Sequence, residues 1–273
     1  MKIRKLLLTA AVVAAGLGLA SCGKGFEPLA EDVKTIKVAA SPTPHSEILK
    51  AAKPYYEAKG YTLEIIEYTD YVQPNIATED GDVAANYFQH TPYLNQFNEE
   101  QDTHLVSVGV VHYEPLAIYK GSKNSLSDVA NGDKILVPND VTNEARALLL
   151  LEEAGLIDVR DDAGLDATKN DIISNPYNLE IKEMEAAQIA ANRVDGAFAV
   201  INGNYALDAD LTAADALKFE SSTGLAAQTY GNILCVREGN ENHPAILALY
   251  EVLTSPEIKS FIEQKYNGAV LAI

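Results

Sequence analysis

Five histidines, His45, His90, His104, His112 and His243, are scattered along the chain. None forms an H-E-x-x-H or an i, i+4 pair, so helical zinc spacing is absent. There is no G-x-S-x-G elbow, no Walker loop and no G-x-G-x-x-G. Carboxylates are abundant, but no pair stands out as acid and base. The residues therefore argue against an enzyme and call for no cofactor. Two stretches do concentrate chemistry. The first, Asn86-Tyr87-Phe88-Gln89-His90-Thr91-Pro92-Tyr93-Leu94, gathers aromatic rings and a His where a strand should give way to a helix. Ligands in open α/β sheets bind at the carboxyl ends of strands, which is this position. The plainer reading is a core aromatic cluster. The second runs from Val137 through Pro138-Asn139-Asp140-Val141-Thr142-Asn143 into a helix whose first turn holds Arg146. Free N–H groups and a planar guanidinium there suit a carboxylate. The plainer reading is a surface Arg paired with Glu144 or Asp140.

Both stretches need elements to hold them. Ile36–Ala40, Tyr61–Tyr68, Asp82–Phe88, Leu105–Val111 and Leu116–Tyr119 read as strands. His45–Lys59 carries Ile48, Leu49, Ala52 and Tyr56 at helical spacing, and Pro54 should kink or end it. Thr91-Pro92 reads as an N-cap followed by proline at the first helical position. The alternation restarts with strands at Lys134–Val137, Leu179–Met184, Ala197–Ile201 and Asn232–Arg237. Helices are expected over Asn143–Ala154, closed by Gly155, over Ala187–Asn192, and as two runs within His243–Tyr266. Such alternation implies an α/β fold with mainly parallel sheet.

The chain has 273 residues, 21 Lys+Arg against 39 Asp+Glu and a net charge of −18. That acidity argues against nucleic acid as a partner, because phosphate binding needs clustered basic residues. Residues 2–5 are Lys-Ile-Arg-Lys, and Leu6–Ala20 is apolar or small throughout. The run has the length of a signal-peptide core and falls short of the roughly 20 residues of a membrane span. It ends in Leu19-Ala20-Ser21-Cys22, which resembles the bacterial lipobox, where cleavage precedes a lipid-bearing cysteine. Residues 1–21 are thus expected to be a signal peptide, and residues 22–35 a lipidated N-terminus and tether. Cys235, the other cysteine, sits in an apolar stretch and reads as a buried, inert thiol.

The strings NYFQHTPYLNQ, VPNDVTNEARALLLLEEAGLI and AFAVINGNYA, with EYTDYVQPN and a final YNGAV, resemble the methionine-binding lipoproteins of bacterial ABC importers, the NlpA-type family. The resemblance runs from about Ile36 to the C-terminus. It implies a two-lobed, type II periplasmic-binding-protein fold with the ligand cleft between lobes. Lobe 1 would comprise residues 36–114 and 229–273, and lobe 2 residues 115–228. It also implies a monomeric receptor, anchored by Cys22 on the extracytoplasmic face, that binds methionine and delivers it to an ABC permease. Carried over by motif, Arg146 would hold the α-carboxylate, and Asn143, Asn202 and Asn232 would complete a polar cage. Tyr71, Phe88, His90, Tyr93 and Tyr113 would line the side-chain pocket. Val141, Ala145, Tyr87 and His112 depart from the family pattern. Tyr87 should point away from Phe88, yet its bulk could still narrow the pocket. Rival readings are a receptor for another amino acid or a methionine dipeptide, a metal-ion receptor using His90, His112 and carboxylates, and a surface adhesin.

Overall fold

The computed structural model describes residues 27–221 and 229–273. The expected signal peptide, Cys22 and the first part of the tether lie outside the described residues. The described end of that tether is pinned: Leu29 N–H donates to Asn240 Oδ1 at 2.9 Å.

The chain first runs β1 (Thr35–Ala40), α1 (Glu47–Ala58), β2 (Thr62–Glu67), α2 (Gln73–Glu79), β3 (Ala85–His90), α3 (Thr91–Gln101) and β4 (Leu105–Tyr113). It then crosses to β5 (Ala117–Lys120), β6 (Lys134–Pro138), α4 (Val141–Glu153), β7 (Asp158–Val159), β8 (Ile172–Ser174), β9 (Glu180–Met184), α5 (Ala186–Asn192), β10 (Phe198–Ile201), α6 (Gly203–Asp208) and β11 (Ala216–Phe219). It returns through β12 (Asn232–Arg237), α7 (Pro244–Leu253), α8 (Pro256–Tyr266) and β13 (Leu271–Ala272).

Two main sheets result, one ordered β13-β4-β12-β3-β1-β2 and the other β11-β5-β10-β6-β9. Both are mixed, where mainly parallel sheets were expected. β1 pairs in parallel with β2 and β3, and β6 with β9 and β10. The other pairings, β12 with β3 and β4, β13 with β4, and β5 with β10 and β11, are antiparallel.

The second sheet is apolar on both faces, with the two-residue alternation of a strand. Ile118, Ile135, Val137, Phe198 and Val200 meet Leu148 and Leu151 of α4, whereas Ala117, Leu136, Ala199 and Ile201 meet Ile189 and Tyr205 of α5 and α6. In the first sheet, Ile48, Leu49, Ala52 and Tyr56 of α1 pack with α7 and α8. α1 runs through Pro54, which lies on its exposed face, so the carbonyl that loses its partner can meet water. The N-cap of α3 is His90 rather than Thr91: its Nδ1 accepts the Tyr93 N–H at 3.2 Å. Gly155 follows the C-cap of α4 with φ of 72°, the left-handed turn that glycine adopts freely. Cys235 is fully buried, and burial pushes its thiol well above the ordinary range.

Candidate ligand-binding cleft

A cavity of about 350 Å³ lies between the two sheets. Eight of the nine expected ligand residues line it: Tyr71, Phe88, His90, Tyr93, Asn143, Arg146, Asn202 and Asn232. Tyr113 does not. Its ring lies 5.8 Å from the Arg146 guanidinium carbon, and its hydroxyl donates to Glu220 Oε2 at 2.7 Å. It therefore supports the arginine from behind.

One end of the cleft is aromatic. The Tyr71 ring centroid is 5.8 Å from Phe88 and 5.7 Å from Tyr93, and Tyr93 Oη donates to the Tyr71 carbonyl at 3.1 Å. Phe88 reaches this end because strand alternation sends Tyr87 to the opposite face, into the core beside α1. Tyr87 thus stays out of the cleft lining. Two hydrogen bonds tie this wall to α6: Tyr71 Oη donates to Asn204 Oδ1 at 2.5 Å, and Tyr205 Oη to the Thr69 carbonyl at 3.2 Å.

The other end is polar, and much of it is already engaged. Asp140 caps α4, accepting Asn143 N–H at 3.0 Å and Asn143 Nδ2 at 2.8 Å. The helix N-terminus expected to receive an anion is therefore closed by its own carboxylate. Asn143 Oδ1 in turn accepts from Asn202 Nδ2 at 2.8 Å and faces His90 Nε2 at 3.3 Å. His90 holds its proton on Nε2, and burial, with Arg146 nearby, pushes its pKa down to about 3.

Arg146 is buried, and its partner is neither Glu144 nor Asp140. Its Nε lies 3.0 Å from both carboxylate oxygens of Glu220, and Nη2 donates to Glu220 Oε2 at 2.6 Å. Nη2 also donates to the Glu114 carbonyl at 2.9 Å. Burial works against the charge, but Glu220 outweighs it and holds the guanidinium protonated. The fork expected to grip a ligand carboxylate is thus spent on the protein, because Glu220 follows β11 at the return crossing. Tyr230 covers the other face, 4.3 Å from ring to guanidinium carbon.

Among the described residues, two buried atoms in the lining have no partner: Asn202 Oδ1, an acceptor, and Asn204 Nδ2, a donor. Buried polar groups are ordinarily paired, so this pair marks a place for a ligand with both polarities. The cleft also holds Glu114, which lies beside His112 and His45. Their ligand atoms all fall within 4.8 Å of one another, as a metal site would require. The metal reading paired His112 with His90, but His90 faces Asn143 instead. His45 Nε2 is also already shared with Asn232 Oδ1 at 2.9 Å. Sequence reasoning missed Glu114, Asn204, Glu220 and Tyr230. Asn204 carried a signal, as it sits in the quoted AFAVINGNYA string; Glu114 and Glu220 carried none, being single carboxylates in an acidic chain.

Residues 36–273 match the NlpA lipoprotein family. The chain belongs to that family. The methionine-binding lipoprotein MetQ of Bacillus subtilis is 43% identical over 99% of both chains. A nutrient binding protein from Burkholderia cenocepacia, solved bound to methionine, is 39% identical with a TM-score of 0.82, covering 87% of this chain and 99% of that one. The periplasmic substrate-binding protein of an ABC transporter from Coxiella burnetii is 36% identical, again at 0.82, over 87% and 100%. These relatives are described as binding proteins. The fold is accordingly the two-lobed NlpA architecture, with one sheet in each lobe. Of the departures from the NlpA pattern, Ala145 is buried in the core under α4 and Val141 opens that helix. Tyr87 and His112 bond to each other.

Proposed function

We propose that the protein is the solute receptor of an ABC importer, that it binds methionine as a monomer, and that Cys22 anchors it by lipid to the extracytoplasmic face of the membrane. One observation carries the ligand assignment. A single cleft joins an aromatic slot to a polar cage that holds an unpaired acceptor, Asn202 Oδ1, and an unpaired donor, Asn204 Nδ2. A zwitterion supplies both complements, and a thioether gains from contact with Tyr71, Phe88 and Tyr93. The methionine-bound relative supports the same choice. Since Glu220 holds the Nε and Nη2 side of Arg146, the ligand carboxylate meets the Nη1 corner, Asn204 Nδ2 and Asn232. His90 and Asn143 act mainly to orient one another and Asn202.

Calorimetric titration of the purified mature chain tests this. L-methionine should bind at a single site with a dissociation constant in the micromolar range or tighter, about −8 kcal/mol. A chelator should leave binding unchanged; loss of binding with chelator would instead favour the metal reading. Absence of heat with methionine, and uptake of a dipeptide instead, would overturn the assignment. For the anchor, no helix among the described residues is long and apolar enough to cross a membrane. Cys22→Ser should leave methionine binding intact and move the protein from the detergent phase to the aqueous phase. Unchanged partitioning would remove the lipid anchor.

A further inference from the structure

Behind the polar end of the cleft runs a buried chain of hydrogen bonds that methionine recognition by Arg146 and the asparagines does not use. Glu114 sits at the crossing between β4 and β5, is 5% exposed and faces the cleft. Its Oε1 lies 2.7 Å from His112 Nε2 and 3.3 Å from His45 Nε2. With Glu114 ionised, its carboxylate only accepts and His112 carries its proton on Nε2. Its Nδ1 is then a lone pair, and the Tyr87 hydroxyl donates to it. His45 donates its Nε2–H to Asn232 Oδ1 and Glu114, and its Nδ1 is buried without a partner. Burial holds both rings neutral, His45 at about 4 and His112 at about 3. The Asn204 N–H adds a further donor to the carboxylate. Gly203 leaves it room, since a Cβ there would stand 2.8 Å from Glu114 Oε2.

The charges around the cleft are unequal. The two imidazoles give hydrogen bonds and no positive charge. Arg146 is the only Lys or Arg in the lining among the described residues, and Glu220 already matches it. That leaves the Glu114 carboxyl buried at the cleft, where burial pushes its pKa up, and an added cation there favours the ionised form. A ligand ammonium is that cation. We propose that Glu114 receives the ligand's α-ammonium, and that His112 and Tyr87 are positioning residues that hold its carboxylate fixed at the cleft wall. This rests on the reading that the cleft takes an amino acid. It predicts that the receptor selects on the free ammonium more strongly than on the carboxylate, because the Arg146 fork is engaged before ligand arrives.

The experiment compares three probes by calorimetry: L-methionine, its des-amino acid and its carboxamide. Wild type should bind the des-amino acid at least about 30-fold more weakly than methionine, the loss typical of one partner of a buried charge pair. The carboxamide should lose less. Glu114→Gln should shrink the gap between methionine and the des-amino acid to within about threefold. His112→Leu should do the same in part, weakening methionine while sparing the des-amino acid, and His112→Gln, which keeps a donor near Nε2, should restore the gap. A merely structural role for His112 would weaken both probes alike, and that outcome would overturn the positioning claim. Equal binding of methionine and the des-amino acid by wild type would overturn the Glu114 claim without any variant having to fold. Wild type that binds no methionine would overturn the amino-acid reading and this proposal with it.

Discussion

Replacing Arg146 with Ala should sharply weaken methionine binding and destabilise the apo protein together. The guanidinium holds both crossings between the sheets, Glu220 after β11 and the Glu114 carbonyl after β4. Removal leaves Glu220, a largely buried carboxylate, with only the Tyr113 hydroxyl and the Leu116 N–H among the described residues. Breaking one side of such a pair costs about 3–5 kcal/mol of stability. Loss of the ligand contact adds about 2–5 kcal/mol of binding energy, or roughly 30- to 4,000-fold in affinity. Arg146→Lys should fail nearly as badly, because one ammonium cannot serve the Glu220 fork and the Glu114 carbonyl at once. Adding Glu220→Gln to Arg146→Ala should recover much of the stability and none of the binding, since it removes the stranded charge without restoring the cation. Urea midpoints and calorimetry together read both quantities. An unchanged midpoint, or an affinity loss below about threefold, would sink the assignment.

Methionine should shrink the protein as well as stabilise it. The cleft walls come from both lobes: Phe88, His90 and Tyr93 from the first, Asn143, Arg146 and Asn202 from the second. The polypeptide crosses between them near Glu114 and Glu220, and the two crossings pair there, Glu220 N–H donating to the Leu116 carbonyl at 2.8 Å. Few bonds close the walls on each other, chiefly Tyr71 to Asn204, Tyr205 to Thr69 and His90 to Asn143. A ligand that touches both walls binds the closed form better than the open one, and only such differential contact shifts the population. Small-angle scattering should show a smaller radius of gyration with methionine. At 100-fold excess over the dissociation constant, linkage gives about 2.7 kcal/mol of added stability, visible as a raised Tm by circular dichroism. Asn202→Ala should weaken both effects by about 1–3 kcal/mol of binding, the cost of a lost buried hydrogen bond. A radius that ignores methionine would dismiss hinge closure, whereas a Tm that ignores it would dismiss methionine.

Strand and helix alternation was legible because hydrophobic periodicity is local, and most elements fall within one or two residues of where the spacing puts them. The errors are equally local. Thr91 is a good capping residue by type, but the His90 ring takes the cap because its backbone is still extended at the end of β3. Pro54 stays inside α1 because its face is wet. α2 gave no periodic signal and exists through a buried amide network: Asn86 Nδ2 donates to Asn75 Oδ1 at 3.0 Å, and Asn75 Nδ2 to Gln89 Oε1 at 3.0 Å.

The sequence alone determined the order of most strands and helices, the family, and the two strand-to-helix junctions that supply most of the cleft, because each depends on residues a few positions apart. Tertiary structure decided what those residues do. Arg146 meets Glu220 across 74 residues, and Tyr87 meets His112 across 25. Tyr113 sits behind the arginine, Asp140 closes the helix end, and Glu114 becomes the one carboxyl group of the lining among the described residues. No spacing rule reaches these pairings, because they follow from which crossing lies against which sheet end. Burial then gives a charge its strength only once its partner is fixed.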